Sequence, residues 1–393
     1  MIICCGEALI DMVPSYDKGE NFSPRPGGSP YNTAIAIGKL GVPVKFLGRI
    51  STDYFGEILM KRLQKSHVGD ELIKRSSQNS TLAFVKQEKG KEPQYIFYTE
   101  GTADRSLSME DLPANLPSDA KCITFGSISM TMEPAASAIE SFILREGTRK
   151  STDQMDGSPV ISFDPNIRPF MIKDRGVYTG KFEKWIAAST IAKISFDDIG
   201  FVYSKLDPEK ALRKIISMGP WLAICTLGAK GALALLRRNN GSVVKVSAPG
   251  FALPVADTIG AGDTFHGAFL AWLVIKGKMS RSELAGLSEA DLYNALCYAN
   301  KAAAIVCSRI GADPPSRKEV ESLKEPEAKP PARSPAKTAS AKKPAAKSPA
   351  AKKPVVKAAP AKAPTTKPPA KTKPKAGTAK VPTAKGSATK KKQ

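Results

Sequence analysis

From residue 1 to residue 323, short apolar runs alternate with longer stretches whose apolar positions recur at helical spacing. MIICCGEALI reads as a short buried strand, PYNTAIAIGKLG as a helix ending at Gly41, and PVKFLGRI as the next strand. KCITFGSI, VISFDPN, IAKISF, WLAICTLG and SVVKVSA read as further strands, mostly with helical text between them. This alternation predicts an α/β fold with a mainly parallel sheet and helices on both faces. One segment breaks the rhythm. TLAFVKQEKGKEPQYIFYTE holds two β-rich runs around a charged turn, Lys89 to Pro93, with no helix between them. It predicts a hairpin that stands off the main sheet and can close over a site.

After Leu323 the pattern stops. Residues 324–393 are a Lys/Ala/Pro mixture (AKKPAAKSPAAKKPVVKAAP) with almost no side chain large enough to bury surface, so disorder is expected. Charge follows the same division. Lys329 to Gln393 carries 18 Lys and one Arg with no acidic residue. Of 59 basic residues, 40 are left for the body against 37 acidic ones, so the net charge of +22 belongs almost wholly to the tail. The body is long enough for one substantial core.

The six cysteines (Cys4, Cys5, Cys122, Cys225, Cys297 and Cys307) show no zinc spacing, and several lie in apolar runs, which suggests a reducing cytoplasm. Glu7 and Asp11 interrupt the apolar N-terminus and no basic leader precedes it, a poor signal peptide. No apolar run approaches the length of a membrane span.

The chemistry concentrates in DTIGAGDTFHG, Asp257 to Gly267. Gly260, Ala261 and Gly262 lack bulky side chains, so a ligand can approach their backbone. If the apolar run from Thr264 is a helix, their N–H groups sit at its positive end, ready for a phosphate. A carboxylate beside that phosphate, Asp263, repels an anion and suits proton abstraction from an attacking hydroxyl. A plain glycine turn with an N-capping aspartate is the alternative. No Gly-x-x-x-x-Gly-Lys-Ser/Thr phosphate loop and no His-Glu-x-x-His pair occurs, and His67 and His266 are the only histidines. Phosphoryl transfer here would rest on positioning and electrostatics.

A second stretch, RPGGSPYNTAIAIGKLG, offers Gly27 and Gly28 for close backbone approach and Asn32 as a donor and acceptor for hydroxyls. Asp11 is placed to accept from a sugar; each of these residues also has an ordinary reading as turn, cap or solvated loop.

The phrase Asp-Thr-x-Gly-Ala-Gly-Asp resembles the signature of the ribokinase-like (PfkB-type) carbohydrate kinases, and the likeness runs over nearly all of residues 1–320. It implies a three-layer αβα sandwich with a small β lid, drawn from about residues 12–25 and 81–99. It also implies Asp263 as catalytic base, Gly260–Gly262 as the anion hole, and Asp11, Gly27, Gly28 and Asn32 around the sugar. PGGSPYNTAIAIGKLG, YTEGTADRSL and FDPNIRP are similar to bacterial fructokinase text, which implies D-fructose as acceptor and fructose 6-phosphate as product. Kinases of 2-keto-3-deoxygluconate and of nucleosides share the signature.

By the same resemblance Phe97 faces the sugar, with Tyr95 and Tyr98 as rivals because a one-residue slip exchanges the faces. Arg168 brings positive charge to sugar or phosphate, and Arg105 is a weaker candidate. Thr226, Gly228 and Gly231 of TLGAKGAL line ATP, and Asn300 sits near the adenine. Ser195 and Asp198 of KISFDDIGF align with the ends of a magnesium motif, Asp198 acting through water and Asp197 as the alternative. Phe196 departs from that motif's polar pattern. Asp257 and the backbone of Ile259 correspond to a monovalent cation site, such as K⁺. Asp53 and Gly56 are expected to be structural. Lids of such kinases often pair into dimers.

The tail, with Ser-Pro-Ala-Lys at Ser334 and Ser-Pro-Ala-Ala-Lys at Ser348, resembles linker-histone tails. This implies salt-sensitive contact with DNA or another polyanion, with a dispensable solubilising extension as the alternative. A DNA-associated protein whose kinase-like body has another role is the competing class of function.

Overall fold

Among the described residues, fourteen strands, built largely from the apolar runs, form two sheets. In chain order they are β1 (Ile2–Cys5), β2 (Leu9–Pro14), β3 (Phe22–Gly27), β4 (Val44–Ser51), β5 (Val68–Gly69), β6 (Ile73–Ser76) and β7 (Thr81–Lys86), then β8 (Gln94–Tyr98), β9 (Cys122–Gly126), β10 (Val160–Asp164), β11 (Ile191–Ser195), β12 (Leu222–Thr226), β13 (Ala232–Arg237) and β14 (Val243–Ala248). The computed structural model describes residues 1–14, 21–86, 94–148 and 157–324. The charged turn expected at Lys89–Pro93 and the tail from residue 325 lie outside the described residues. Contacts group Met1–Lys329 as one unit.

The main sheet has ten strands in the order β14-β13-β12-β11-β10-β9-β1-β4-β5, with β6 also paired to β4. From β12 to β5 neighbouring strands are parallel, and β13 and β14 add an antiparallel edge. The parallel strands are buried on both faces, which is why their text reads as continuous apolar runs rather than alternation.

Two apolar layers flank this sheet. Helices α1 (Ser29–Lys39) and α2 (Tyr54–Lys65) cover one face, and α3 (Ala135–Thr148), α4 (Arg175–Ala188), α5 (Phe196–Val202) and α6 (Pro208–Met218) cover the other. The chain then returns to the first face with α7 (Ala261–Ile275), α8 (Arg281–Ala285), α9 (Glu289–Cys307) and α10 (Arg317–Ser322). The result is the expected three-layer αβα sandwich. Helix α7 is buried on nearly every side from Asp263 to Leu273. It passes α1 closely at Gly267, where a Cβ would lie 2.9 Å from the Thr33 carbonyl oxygen. None of the described helices is long and apolar enough to cross a membrane.

The lid is a separate four-stranded sheet, β3-β2-β7-β8. Two details differ from the pattern-based expectation. MIICCGEALI is two strands, because the chain turns at Gly6 (φ 149°) and Leu9–Pro14 leaves the main sheet for the lid. Nothing in the Ala/Leu text of β13 announces a strand, since both residues favour helix; pairing with β12 and β14 overrides that preference.

Candidate active site

Two cavities open at the carboxyl ends of the parallel strands, where open α/β sheets bind ligands. One, of about 220 Å³, is polar and includes Asp11, Gly28, Asn32, Phe97, Asn166 and Arg168 in its walls. The other, of about 340 Å³, is mostly apolar and includes Thr226, Gly228, Gly231, Phe265 and Asn300. They share Thr258, Ala261 and Gly262, so the Gly-Ala-Gly turn forms the wall between them.

That turn opens α7. Gly260 is its left-handed N-cap (φ 76°), and a Cβ there would lie 2.6 Å from the Ala312 Cβ. Ala261 N–H donates to the Thr258 carbonyl at 3.2 Å, which closes the turn. The N–H groups of Gly262 and Asp263 belong to the first helical turn and have no carbonyl within their own helix to bond. They lie at the positive end of a helix of 15 residues, a setting suited to a phosphoryl group.

The Asp263 side chain is buried and oriented from three directions. Its Oδ1 accepts from Ser29 Oγ at 2.7 Å and from Asn166 Nδ2 at 3.3 Å, and its Oδ2 accepts from Asn32 Nδ2 at 2.9 Å. Burial pushes its pKa above the usual carboxylate range, against the opposing pull of the Asn32 and Ser29 hydrogen bonds. A fixed carboxylate of raised basicity can take a proton from an alcohol. Ser29 is itself held through its N–H, which donates to Glu7 Oε1 at 3.1 Å, while Glu7 Oε2 accepts from Ser129 Oγ at 2.7 Å. Gly28 allows this packing, since at φ 102° a Cβ would meet the Glu7 carbonyl oxygen at 2.6 Å.

Around the polar cavity the proposed sugar residues take distinct places. Asn32 spends its amide on Asp263, and its buried Oδ1 has no partner among the described residues. Arg168 Nη1 donates to Asn166 Oδ1 at 2.6 Å, which orients Asn166. Burial pushes the Asp11 carboxyl up to about 7, with Arg168 pulling it down and Asp263 and Asp257 pushing it further up. Gly27 does not line the cavity. A Cβ there would sit 2.1 Å from Asp11 Oδ2, so this glycine makes room for the carboxylate. Phe97 faces the cavity from the lid, Tyr98 is exposed on the opposite face of β8, and the Tyr95 side chain lies outside the described residues. Arg105 is not among the residues lining the cavity and pairs with the exposed Glu100 at 2.5 Å.

On the other side of the turn, Gly228 and Gly231 have φ values of 58° and 93° and bare the backbone after β12. Asn300 is buried; its Nδ2 donates to the Pro249 carbonyl at 3.0 Å and ties α9 to the loop after β14. Asp257 Oδ1 accepts from Ile259 N–H at 3.0 Å and Oδ2 from Gly311 N–H at 2.9 Å, so this carboxylate shapes the loop before the turn.

The magnesium assignment fares differently. Asp198 is buried; its Oδ1 accepts from Ile167 N–H at 2.7 Å, and its Oδ2 from Ser195 N–H and Ser195 Oγ. Ser195 and Asp198 form a capping box on α5 and line neither cavity, and Asp197 is exposed outside both. Among the described residues no group of three or more His, Cys, Asp or Glu is arranged to hold an ion. The donor set does not build a direct magnesium site, because the carboxylate oxygens that would serve it are already bonded to the chain. Asp53, by contrast, caps α2 and Gly56 abuts the Ser51 carbonyl oxygen, as expected of structural residues. Sequence reasoning passed over Ser29, Asn166, Asp164 and Lys193. The lysine carried a signal: a charge inside the apolar strand text IAKIS needs a buried partner.

Known proteins show the same design. A model of the pfkB family carbohydrate kinases matches residues 1–319. A fructokinase of Rhizobium leguminosarum bv. trifolii is 38% identical over 296 residues, covering 75% of this chain and 86% of that protein. The probable fructokinase-5 of Arabidopsis thaliana is 32% identical over 340 residues, covering 84% of this chain and 98% of its own length. The fold is shared with the crystal structure of a Xylella fastidiosa fructokinase with bound ATP, at a TM-score of 0.72 and 24% identity over 82% of this chain and 97% of that one. With a buried aspartate in the polar cavity beside the turn that this cavity shares with an apolar one, and a family match over residues 1–319, this chain belongs to the pfkB family of carbohydrate kinases.

Proposed function

We propose that the protein transfers the γ-phosphoryl group of ATP to D-fructose, giving fructose 6-phosphate. The observation that carries this reading is the position of Asp263, which lines the polar, hydroxyl-suited cavity directly after the Ala261–Gly262 wall that this cavity shares with the larger apolar one. Its 38% identity to a curated fructokinase selects the sugar.

In this mechanism Asp11, the free Asn32 Oδ1 and Arg168 bind the sugar, and Phe97 covers it and excludes water. Thr226, Gly228, Gly231 and Asn300 flank the nucleotide. Asp263 accepts the proton of the attacking hydroxyl while the turn from Gly260 to Gly262 receives the migrating group with its backbone amides. When bound with ATP, magnesium would supply neutralisation of phosphate charge, and Asp198 would reach it only through water. K⁺ belongs to the same reading, near Asp257 and the Ile259 backbone; a Vibrio cholerae fructokinase structure is described with fructose, ADP and potassium bound.

A panel of fructose, other sugars, 2-keto-3-deoxygluconate and nucleosides, assayed for ADP release, tests the acceptor. Preference for a keto acid or a nucleoside would replace fructose, and full turnover by Asp263→Asn would remove the mechanism.

Two associations complete the proposal. The lid face opposite Phe97 exposes Phe22, Ile96 and Tyr98, with Phe22 and Tyr98 each edge-on to Phe84, and this stripe suits pairing of two lids in a homodimer. The tail acts as a salt-sensitive tether to DNA for a cytoplasmic enzyme. Deleting residues 325–393 should abolish DNA binding and spare sugar phosphorylation; loss of phosphorylation would favour the reading in which the body serves a DNA-associated role.

A further inference from the structure

Beneath the turn lies a buried charge that the mechanism above does not use. Asp164 ends β10 and Lys193 lies beside it in β11, both almost wholly buried, with Lys193 Nζ donating to Asp164 Oδ2 at 2.8 Å. The same Oδ2 lies 3.6 Å from His266 Nδ1, and His266 Nε2 shares a 2.7 Å hydrogen bond with Ser162 Oγ. His266 stands three residues after Asp263, on the same side of α7, so this network clamps the start of that helix to the sheet.

The lysine end points at the turn. A Cβ on Gly262 would lie only 3.2 Å from Lys193 Nζ, so the glycine that bares its amide to one side admits an ammonium on the other. Burial alone would lower the Lys193 pKa, yet the attraction of Asp164 outweighs it and keeps the ammonium charged. Asp164 is pushed up by burial, but Lys193 and His266 hold it below the usual carboxylate range. An ion pair this deep gains little stability over apolar residues of the same shape, so its retention beside a reacting centre asks for a functional account. Asp164 Oδ1 has no partner among the described residues, and Asp164 lines a void of about 10 Å³ with Ser29, Thr33, Thr124 and His266, a space near the size of one water.

We propose that Lys193, held by Asp164, is a positioning residue that places fixed positive charge beneath the Gly262 amide, one residue before Asp263. This rests on the phosphotransfer reading and extends it. As negative charge grows on the migrating phosphoryl group, the ammonium favours it without touching it, at a point where the protein need not reorganise. The same charge counters the repulsion that Asp164 exerts on Asp263. Across the cavity, Arg168 and Asp263 act in opposite senses on Asp11, Arg168 lowering and Asp263 raising its proton affinity.

The test compares Lys193→Met, the double variant Asp164→Asn with Lys193→Met, and Asp263→Asn, each as the full chain with ATP and fructose over a range of pH. Lys193→Met should lower kcat by about tenfold to a hundredfold, leave the sugar KM near its original value, and move the acidic limb of the kcat profile upward by about one pH unit. The double variant removes the unpaired carboxylate and should regain thermal stability. Its kcat should stay low. If the double variant recovers both the original kcat and the original pH midpoint, the pair is purely structural and the inference falls. Normal turnover by Asp263→Asn would instead overturn the underlying reading, whatever the lysine variants do.

Discussion

The two cavities that meet at the Gly-Ala-Gly turn are built by opposite means. The sugar side is made of side chains that carry charge or amide groups and hold one another: Glu7 fixes Ser29, Arg168 fixes Asn166, and Ser29, Asn32 and Asn166 fix Asp263. The nucleotide side is made largely of absences, with glycines and alanines that let a ligand reach the backbone. Discrimination among hydroxyl patterns needs directed polar groups, which leave a wrong partner unsatisfied. Holding a flat base and a phosphate chain needs room, apolar surface and backbone donors. The molecule thus concentrates its buried polar network on one side of a four-residue turn.

This contrast can be broken or sharpened by mutation. The largest effect is expected beside the shared wall: Asp263→Asn should reduce kcat for ADP release by about a thousandfold while ATP binding, followed by calorimetry, is preserved. Next, Ala304→Leu intrudes on the nucleotide cavity and should raise the ATP KM by about thirtyfold, with the sugar KM unmoved. Equal rises in both KM values would show that the cavities are not independent.

Phe97→Ala is the mirror experiment, with an expected rise of about tenfold in the sugar KM alone. Acidity should act on the same side. Asp11 titrates at about 7, so it is ionised and able to accept from hydroxyls above that pH and protonated below it. The sugar KM should therefore climb as pH falls from about 8 to about 6, by up to about tenfold, and Asp11→Asn should flatten the curve. The smallest effect is expected from Gly228→Ala, where no neighbour lies within 4 Å and only the left-handed backbone resists, at about 1 kcal/mol or a few degrees in Tm. Gly231→Ala should cost clearly more, because its Cβ would sit 2.1 Å from the Ala248 carbonyl oxygen.

Where legibility ended is instructive. The pattern offers Asn32 as a sugar ligand, but its amide belongs to Asp263, a residue 231 positions away that no local spacing reveals. The family resemblance offers Ser195 and Asp198 as the ends of a magnesium motif, and i and i+3 is also the spacing of a capping box, which is how the fold bonds them. Gly27 was assigned to the sugar and instead clears space for Asp11 across the β2–β3 pair. In each case the residue type was informative and the partner was not.

What the chain determines by itself is the alternation of buried strands and helices, the glycine turn before α7 and the carboxylate after it. These follow from local physics: apolar period, backbone freedom at glycine and the polarity of a helix start. What only the tertiary structure decides is which distant groups meet that carboxylate, that Lys193 lies under Gly262, and that Leu9–Pro14 belongs to the lid. Those outcomes depend on strand order and close packing, which bring residues hundreds of positions apart within hydrogen-bond reach and leave no trace in their separate sequence neighbourhoods.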